Sequence, residues 1–249
     1  MGARRDRLPV RGILLDKDGT LIDCDATWGP VIQHLVAEFA PLGDAAALMD
    51  AAGLDPATGR LRAGSVWAAG STHDLVRLWW PEAGRDEILR TAARIDAACA
   101  ERSAHSAVPL LDLDRFLQDL SDRGLTVGIA TNDSLASLNA FIDRHELAGR
   151  IDHRFGYDSV VQPKPDGDMV HAFCAAASLE PAEVAVVGDN THDLEMARAA
   201  GAGWAVGVLT GNGGREDLEP LADVILNGVA DLTEWLSGLP QSGISTSRP

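Results

Sequence analysis

The chain has 249 residues, 46% hydrophobic, 23% charged and 5% aromatic, a balance that excludes a mainly disordered polypeptide and leaves room for an α/β core with a second, smaller domain. Its 37 acidic residues against 21 Lys and Arg give a formal charge of -16, which speaks against nucleic acid and anionic lipid as partners. An anionic substrate then needs a local cation or metal to offset the field.

The N-terminal residues 1–12 carry Arg4, Arg5, Asp6, Arg7 and Arg11 and no apolar stretch of the kind a signal peptide has. No segment approaches the roughly 18 apolar residues of a membrane helix. Cys24, Cys99 and Cys174 are odd in number and form no CxxC pair, so free thiols in a cytoplasmic protein are the expectation.

In chain order, the first strand signal is Val10 to Asp16, whose apolar run Ile13-Leu14-Leu15 ends in the acidic turn Asp16-Lys17-Asp18-Gly19-Thr20. Residues 22–105 differ in kind. They lack a convincing strand and hold apolar residues at helical spacing, namely Trp28, Val31, Leu35 and Phe39, then Leu75, Leu78 and Trp79, then Ile88, Ala92 and Ile95. A helical insertion is expected there. A helix over Asp112 to Arg123 precedes a second strand, Leu125 to Thr131, and an amphipathic run, Leu135 to Leu147. The third strand, Val184 to Val187, leads through Gly188-Asp189-Asn190 into a helix from His192 to Ala200 that Gly201 closes. Gly203 to Leu209 and Ala222 to Leu226 read as further short strands, and residues 238–249 as a frayed tail.

Strands alternating with helices predict a Rossmann-like, mostly parallel α/β sheet covered on both faces, interrupted by an all-helical cap. In such sheets ligands bind outside the carboxyl ends of the strands, which would let Asp16, Thr131 and Asp189 converge.

Four short motifs now stand in order: Asp16-Lys17-Asp18-Gly19-Thr20; Thr131; Lys164 within Gln162-Pro163-Lys164-Pro165; and Gly188-Asp189-Asn190-Thr191-His192-Asp193. In this set the chain resembles the haloacid dehalogenase superfamily of phosphohydrolases, and the helical stretch is similar to the small cap of phosphoglycolate phosphatase-like members. The resemblance implies a discontinuous catalytic core, residues 1–21 and 106–249, with residues 22–105 as the cap. It implies magnesium, which prefers oxygen donors, with Asp16, the backbone carbonyl of Asp18, and Asp189 as ligands. Asp193 is then expected to steady Lys164 or metal-bound water; its plainer reading is a carboxylate favoured by a helix N-terminus.

The chemistry of the residues is compatible with these roles. Asp16 on a sharp turn can attack phosphorus and form an aspartyl phosphate, and Asp18 can protonate the leaving oxygen and later deprotonate water. Thr131 and the backbone N–H groups of Lys17 and Asn132 are expected to bind phosphoryl oxygens, while Lys164 supplies fixed positive charge. Plainer readings are a solvated acidic turn for the Asp pair, a helix-capping hydroxyl for Thr131 and a surface lysine for Lys164. Lys17 occupies a position more often apolar in phosphatases. Gly19 is expected to permit the turn, and Thr20 to hydrogen-bond within it. Arg62, His73 and Arg77 of the cap are candidate substrate contacts, and Trp67, Trp79 and Trp80 read as cap core.

The expected activity is hydrolysis of a small phosphomonoester, with 2-phosphoglycolate first among substrates. A sugar phosphate mutase of the same superfamily and a catalytically silent binding protein are the alternatives. A dehalogenase does not need Asp18. A phosphonate hydrolase needs a cap lysine, and residues 22–105 contain none. Oligomeric state is not legible.

Overall fold

The computed structural model describes residues 8–39, 45–55, 57–62 and 64–239. Six strands form one parallel sheet: β1 (Gly12–Leu15), β2 (Thr126–Ala130), β3 (His153–Phe155), β4 (Val184–Gly188), β5 (Trp204–Val208) and β6 (Val224–Leu226), in the order β3-β2-β1-β4-β5-β6. Strand alternation divides the core. Ile13 and Leu15 of β1, with Val127 and Ile129 of β2, pack against α6 (Leu113–Asp122), α7 (Leu135–Arg144) and α11 (Leu232–Ser237). Leu14 and Val186 face the opposite layer, which contains α8 (Asp168–Ala177), α9 (Thr191–Ala200) and α10 (Arg215–Leu218). Burial on both faces explains why these strands read as continuous apolar runs.

The strand order positions the site. β1 pairs with β2 on one side and β4 on the other, so Asp16, Thr131 and Asp189 each follow directly on one of three adjacent strands. This is the point where the connections diverge to opposite sides of the sheet, and the crevice opens there.

Between β1 and α6 the described residues form five helices: α1 (Cys24–Phe39), α2 (Ala45–Ala52), α3 (Val66–Ala69), α4 (Thr72–Trp79) and α5 (Arg85–Ser106). They enclose an apolar core of their own, centred on Trp28, Ile32, Leu35, Val76, Trp79 and Ile95. Ser71 caps α4 and exchanges hydrogen bonds with Asp74 in a capping box. The helices are tied to the sheet layer through Tyr157, whose hydroxyl donates to Asp96 at 2.6 Å, and through the Ser103 and Ser137 hydroxyls, 3.1 Å apart.

Three expectations change. The run Leu135 to Leu147 is helical only to Arg144, because Glu146 adopts a left-handed φ of 57° that ends the helix. β3 had no clear sequence signal: it is three residues long, half-buried and begins His-Arg. α2, α3, α8, α10 and α11 were likewise not anticipated. Most of the expected tail, residues 240–249, lies outside the described residues. Among those described, no helix is long and apolar enough to cross a membrane, and all three cysteines are buried free thiols.

Candidate active site

The chain has two lysines, and both are buried at the crevice. Lysine is almost never fully buried without a partner, and each of these has two. Lys164 Nζ lies 2.6 Å from Asp16 Oδ1 and 2.5 Å from Asp193 Oδ1. Lys17 Nζ lies 2.8 Å from Asp18 Oδ2 and 3.3 Å from Asp133 Oδ2, with the rings of Trp28 and Phe141 alongside. For both amines burial works against the charge, but the paired carboxylates outweigh it and hold the ammonium pKa above its ordinary value.

Asp16 leaves β1 with its backbone N–H bonded to Val187 O at 2.8 Å. Its Oδ1 accepts from Lys164, whereas its buried Oδ2 has no protein partner among the described residues. Burial, reinforced by the Asp193 and Asp18 charges, pushes its pKa up to about 7 despite Lys164. Burial, with Asp16 and Asp193, also drives Asp189 well above the carboxylate range. Asp189 accepts from the Asn212 backbone N–H at 2.9 Å and, at a long 3.5 Å, from the Thr20 hydroxyl. Gly19 is required here: its φ is 86°, and a Cβ would sit 2.6 Å from the Asp189 carboxyl.

Asp193 occupies the third position of α9, where Oδ2 accepts from the Asn190 N–H at 3.0 Å while Oδ1 takes Lys164. One residue thus completes a capping box and steadies the lysine. One oxygen each of Asp16, Asp189 and Asp193 lies within 4.8 Å of the others. Three buried carboxylates facing a single ammonium, with an orphan Asp16 oxygen, form a hard-oxygen donor set that suits a divalent cation such as magnesium.

Asp18 accepts from Lys17 and, at 2.6 Å, from the Trp28 indole N–H. The Thr131 hydroxyl accepts from the Asp133 N–H at 3.1 Å, and the Asn132 side-chain amide donates to Lys164 O at 3.2 Å. Asp16, Asp18, Thr131, Asn132, Lys164, Asp189 and Asp193 all line one cavity of about 90 Å³.

The structure does not bring Arg62, His73 and Arg77 to that cavity. Arg62 pairs with exposed Asp50, Arg77 with Asp74, and His73 stacks edge-on against Tyr157 at 5.1 Å. Trp67, expected in the cap core, both packs on Trp28 and lines the cavity. Sequence reasoning missed Asp133, Asn212 and the side chain of Lys17. The scarcity of lysine was the available signal for the last.

Residues 10–201 match the family described as haloacid dehalogenase-like hydrolase, and the chain belongs to that family. It is 28% identical over 246 residues to a phosphoglycolate phosphatase of Rhodospirillum rubrum, covering 94% of this chain and 93% of that protein. It is 28% identical over 197 residues to an N-acetylmuramic acid 6-phosphate phosphatase of Pseudomonas putida, covering 77% and 80% respectively. Among solved structures, a hydrolase from Pseudomonas syringae superposes with a TM-score of 0.68 at 23% identity, covering 92% of this chain and 98% of that one. The family expected from the four motifs is the family found.

Proposed function

We propose that this protein is a cytoplasmic, magnesium-dependent phosphatase that hydrolyses a small phosphomonoester through phosphorylated Asp16. The observation that carries the reading is the Asp16 carboxylate: one oxygen is fixed by Lys164, and the other is buried at the cavity without a donor among the described residues. The names of the R. rubrum and P. putida relatives support the reaction class, and they make 2-phosphoglycolate a natural first substrate to assay.

Asp16 Oδ2 attacks phosphorus and the ester P–O bond breaks, with Asp18 passing a proton to the leaving oxygen. Asp18 then takes a proton from water, whose oxygen attacks phosphorus, and inorganic phosphate leaves as the Asp16–phosphorus bond breaks. Lys17 and Trp28 hold the Asp18 carboxyl in one orientation for both transfers. Lys164, the Thr131 hydroxyl and the backbone N–H groups of Lys17 and Asn132 stabilise charge on the transferring group. Asp16, the Asp18 backbone carbonyl and Asp189 would hold magnesium, which when bound offsets the crowded carboxylates and polarises the phosphoryl group. Thr20 and Asp193 steady Asp189 and Lys164 from behind. Residues 22–105 act as the cap over a core of residues 1–21 and 106–249, excluding water from the first step.

The reading is tested by replacing Asp18 with Asn. Steady-state turnover is expected to fall roughly 10²- to 10⁴-fold with KM little changed, as loss of proton transfer requires. Normal turnover with a large rise in KM contradicts the role.

Magnesium and protons compete for Asp16. A carboxylate pKa raised from 3.8 to about 7 costs stability progressively as pH rises through that window and no more above it. The magnesium-dependent gain in Tm is therefore expected to be larger at about pH 8 than at about pH 5.5. A gain that is equal at both, or larger in acid, runs against the carboxylate site.

A further inference from the structure

The half of the cavity contributed by the helical insertion differs from the half contributed by the sheet. Trp28, Val66, Trp67, Leu75, Ile95 and Cys99 form most of its wall. Trp28 and Trp67 meet edge to face, with ring centroids 6.1 Å apart and planes at 69°, making an aromatic corner. The corner lies where the departing group must go, since the Trp28 indole N–H is itself bonded to Asp18, the residue that protonates the leaving oxygen.

No cation stands on this part of the wall among the described residues. The lining includes no arginine, and its one lysine, Lys164, is committed to Asp16 and Asp193 on the sheet side. His192, the only imidazole at the cavity among the described residues, also comes from the sheet side, in the first turn of α9. The two hydroxyls on the insertion's wall have given their protons away: Ser71 Oγ donates to Asp74 at 2.7 Å and Thr72 Oγ1 to Asp96 at 2.5 Å. A carboxylate on the leaving group would thus be desolvated against indole and aliphatic carbon with two acidic side chains behind the hydroxyls, an uncompensated cost. A flat apolar group would instead displace water from the same surface at a gain.

We infer that the preferred substrates are phosphomonoesters of uncharged alcohols with a planar, apolar body, rather than esters that carry a second acidic group. This inference rests on the phosphatase reading above and narrows it.

The test compares kcat/KM for benzyl phosphate and 2-phosphoglycolate, both esters of simple primary alcohols, in the presence of magnesium, with acetyl phosphate as a small reporter of the core chemistry. Benzyl phosphate is expected to exceed 2-phosphoglycolate by about tenfold or more, the scale of discrimination an apolar pocket achieves. Trp67→Ala is expected to narrow that ratio mainly through KM for benzyl phosphate. Val66→Arg, which places a cation on the wall, is expected to shift the ratio toward 2-phosphoglycolate. Equal or better hydrolysis of 2-phosphoglycolate by the wild type, or a ratio that neither variant moves, overturns the inference and leaves the phosphatase reading intact. If none of the three compounds is hydrolysed, both readings are overturned.

Discussion

Asp16→Asn is expected to lower kcat by about 10⁴-fold or more, because the amide oxygen cannot form the covalent phosphoryl intermediate and nothing nearby replaces it. Asp189 and Asp193 are close, but Asp193 is bonded through both oxygens, to Lys164 and Asn190, and Asp189 accepts from Asn212. The variant should fold. In the metal-free protein its Tm is expected to match or exceed that of the wild type above about pH 7, because the substitution removes a carboxylate whose ionisation is opposed chiefly by burial. Loss of activity with retained Tm separates a chemical role from a structural one. A collapsed Tm would instead make Asp16 part of the scaffold.

Lys164→Met is expected to damage both properties. Removing one partner of a buried ion pair typically costs about 3–5 kcal/mol, and here a single ammonium serves Asp16 and Asp193, whose side chains are 10% and 3% exposed. The raised lysine pKa means that its stabilising charge is fully present at neutral pH and would be lost only as pH rose through the folded value. In the variant, acid should restore part of the lost stability, because the orphaned carboxylates can then take up protons. Turnover is expected to drop by roughly 10²- to 10³-fold, the effect of removing one fixed stabiliser of transition-state charge. Chemical denaturation at two pH values and steady-state kinetics read the two effects separately. Unchanged stability at neutral pH would contradict the double pairing.

Lys164 also illustrates which features the sequence disclosed. Its place in a Pro-bounded loop offered only the choice between a surface lysine and a motif residue; burial between two carboxylates excludes the surface reading. The strand-end positions of Asp16, Thr131 and Asp189 were legible because buried parallel strands are short apolar runs with abrupt polar ends, and parallel order then brings those ends together. The helical insertion was legible from its periodicity. The edge strand β3 was not, since half-buried His153 and Arg154 give no apolar run. Nor was the leaving-group wall. Trp28 and Trp67 are separated by 39 positions in sequence, and helical spacing accounts for an indole in a helical core without revealing that it also faces a cavity. Arg62 and Arg77, expected to contact substrate, instead pair with the exposed carboxylates of Asp50 and Asp74, contacts that contribute little to stability.

The central claim is that phosphorus passes through Asp16. Rapid acid quenching during turnover of a radiolabelled phosphate ester, followed by proteolysis and mass spectrometry, reads this directly. The account predicts a phosphoryl group on the peptide containing Asp16, absent from Asp16→Asn and discharged on returning the enzyme to turnover conditions with magnesium. Label on another residue, or a wild-type enzyme that turns over without ever carrying label, would contradict it.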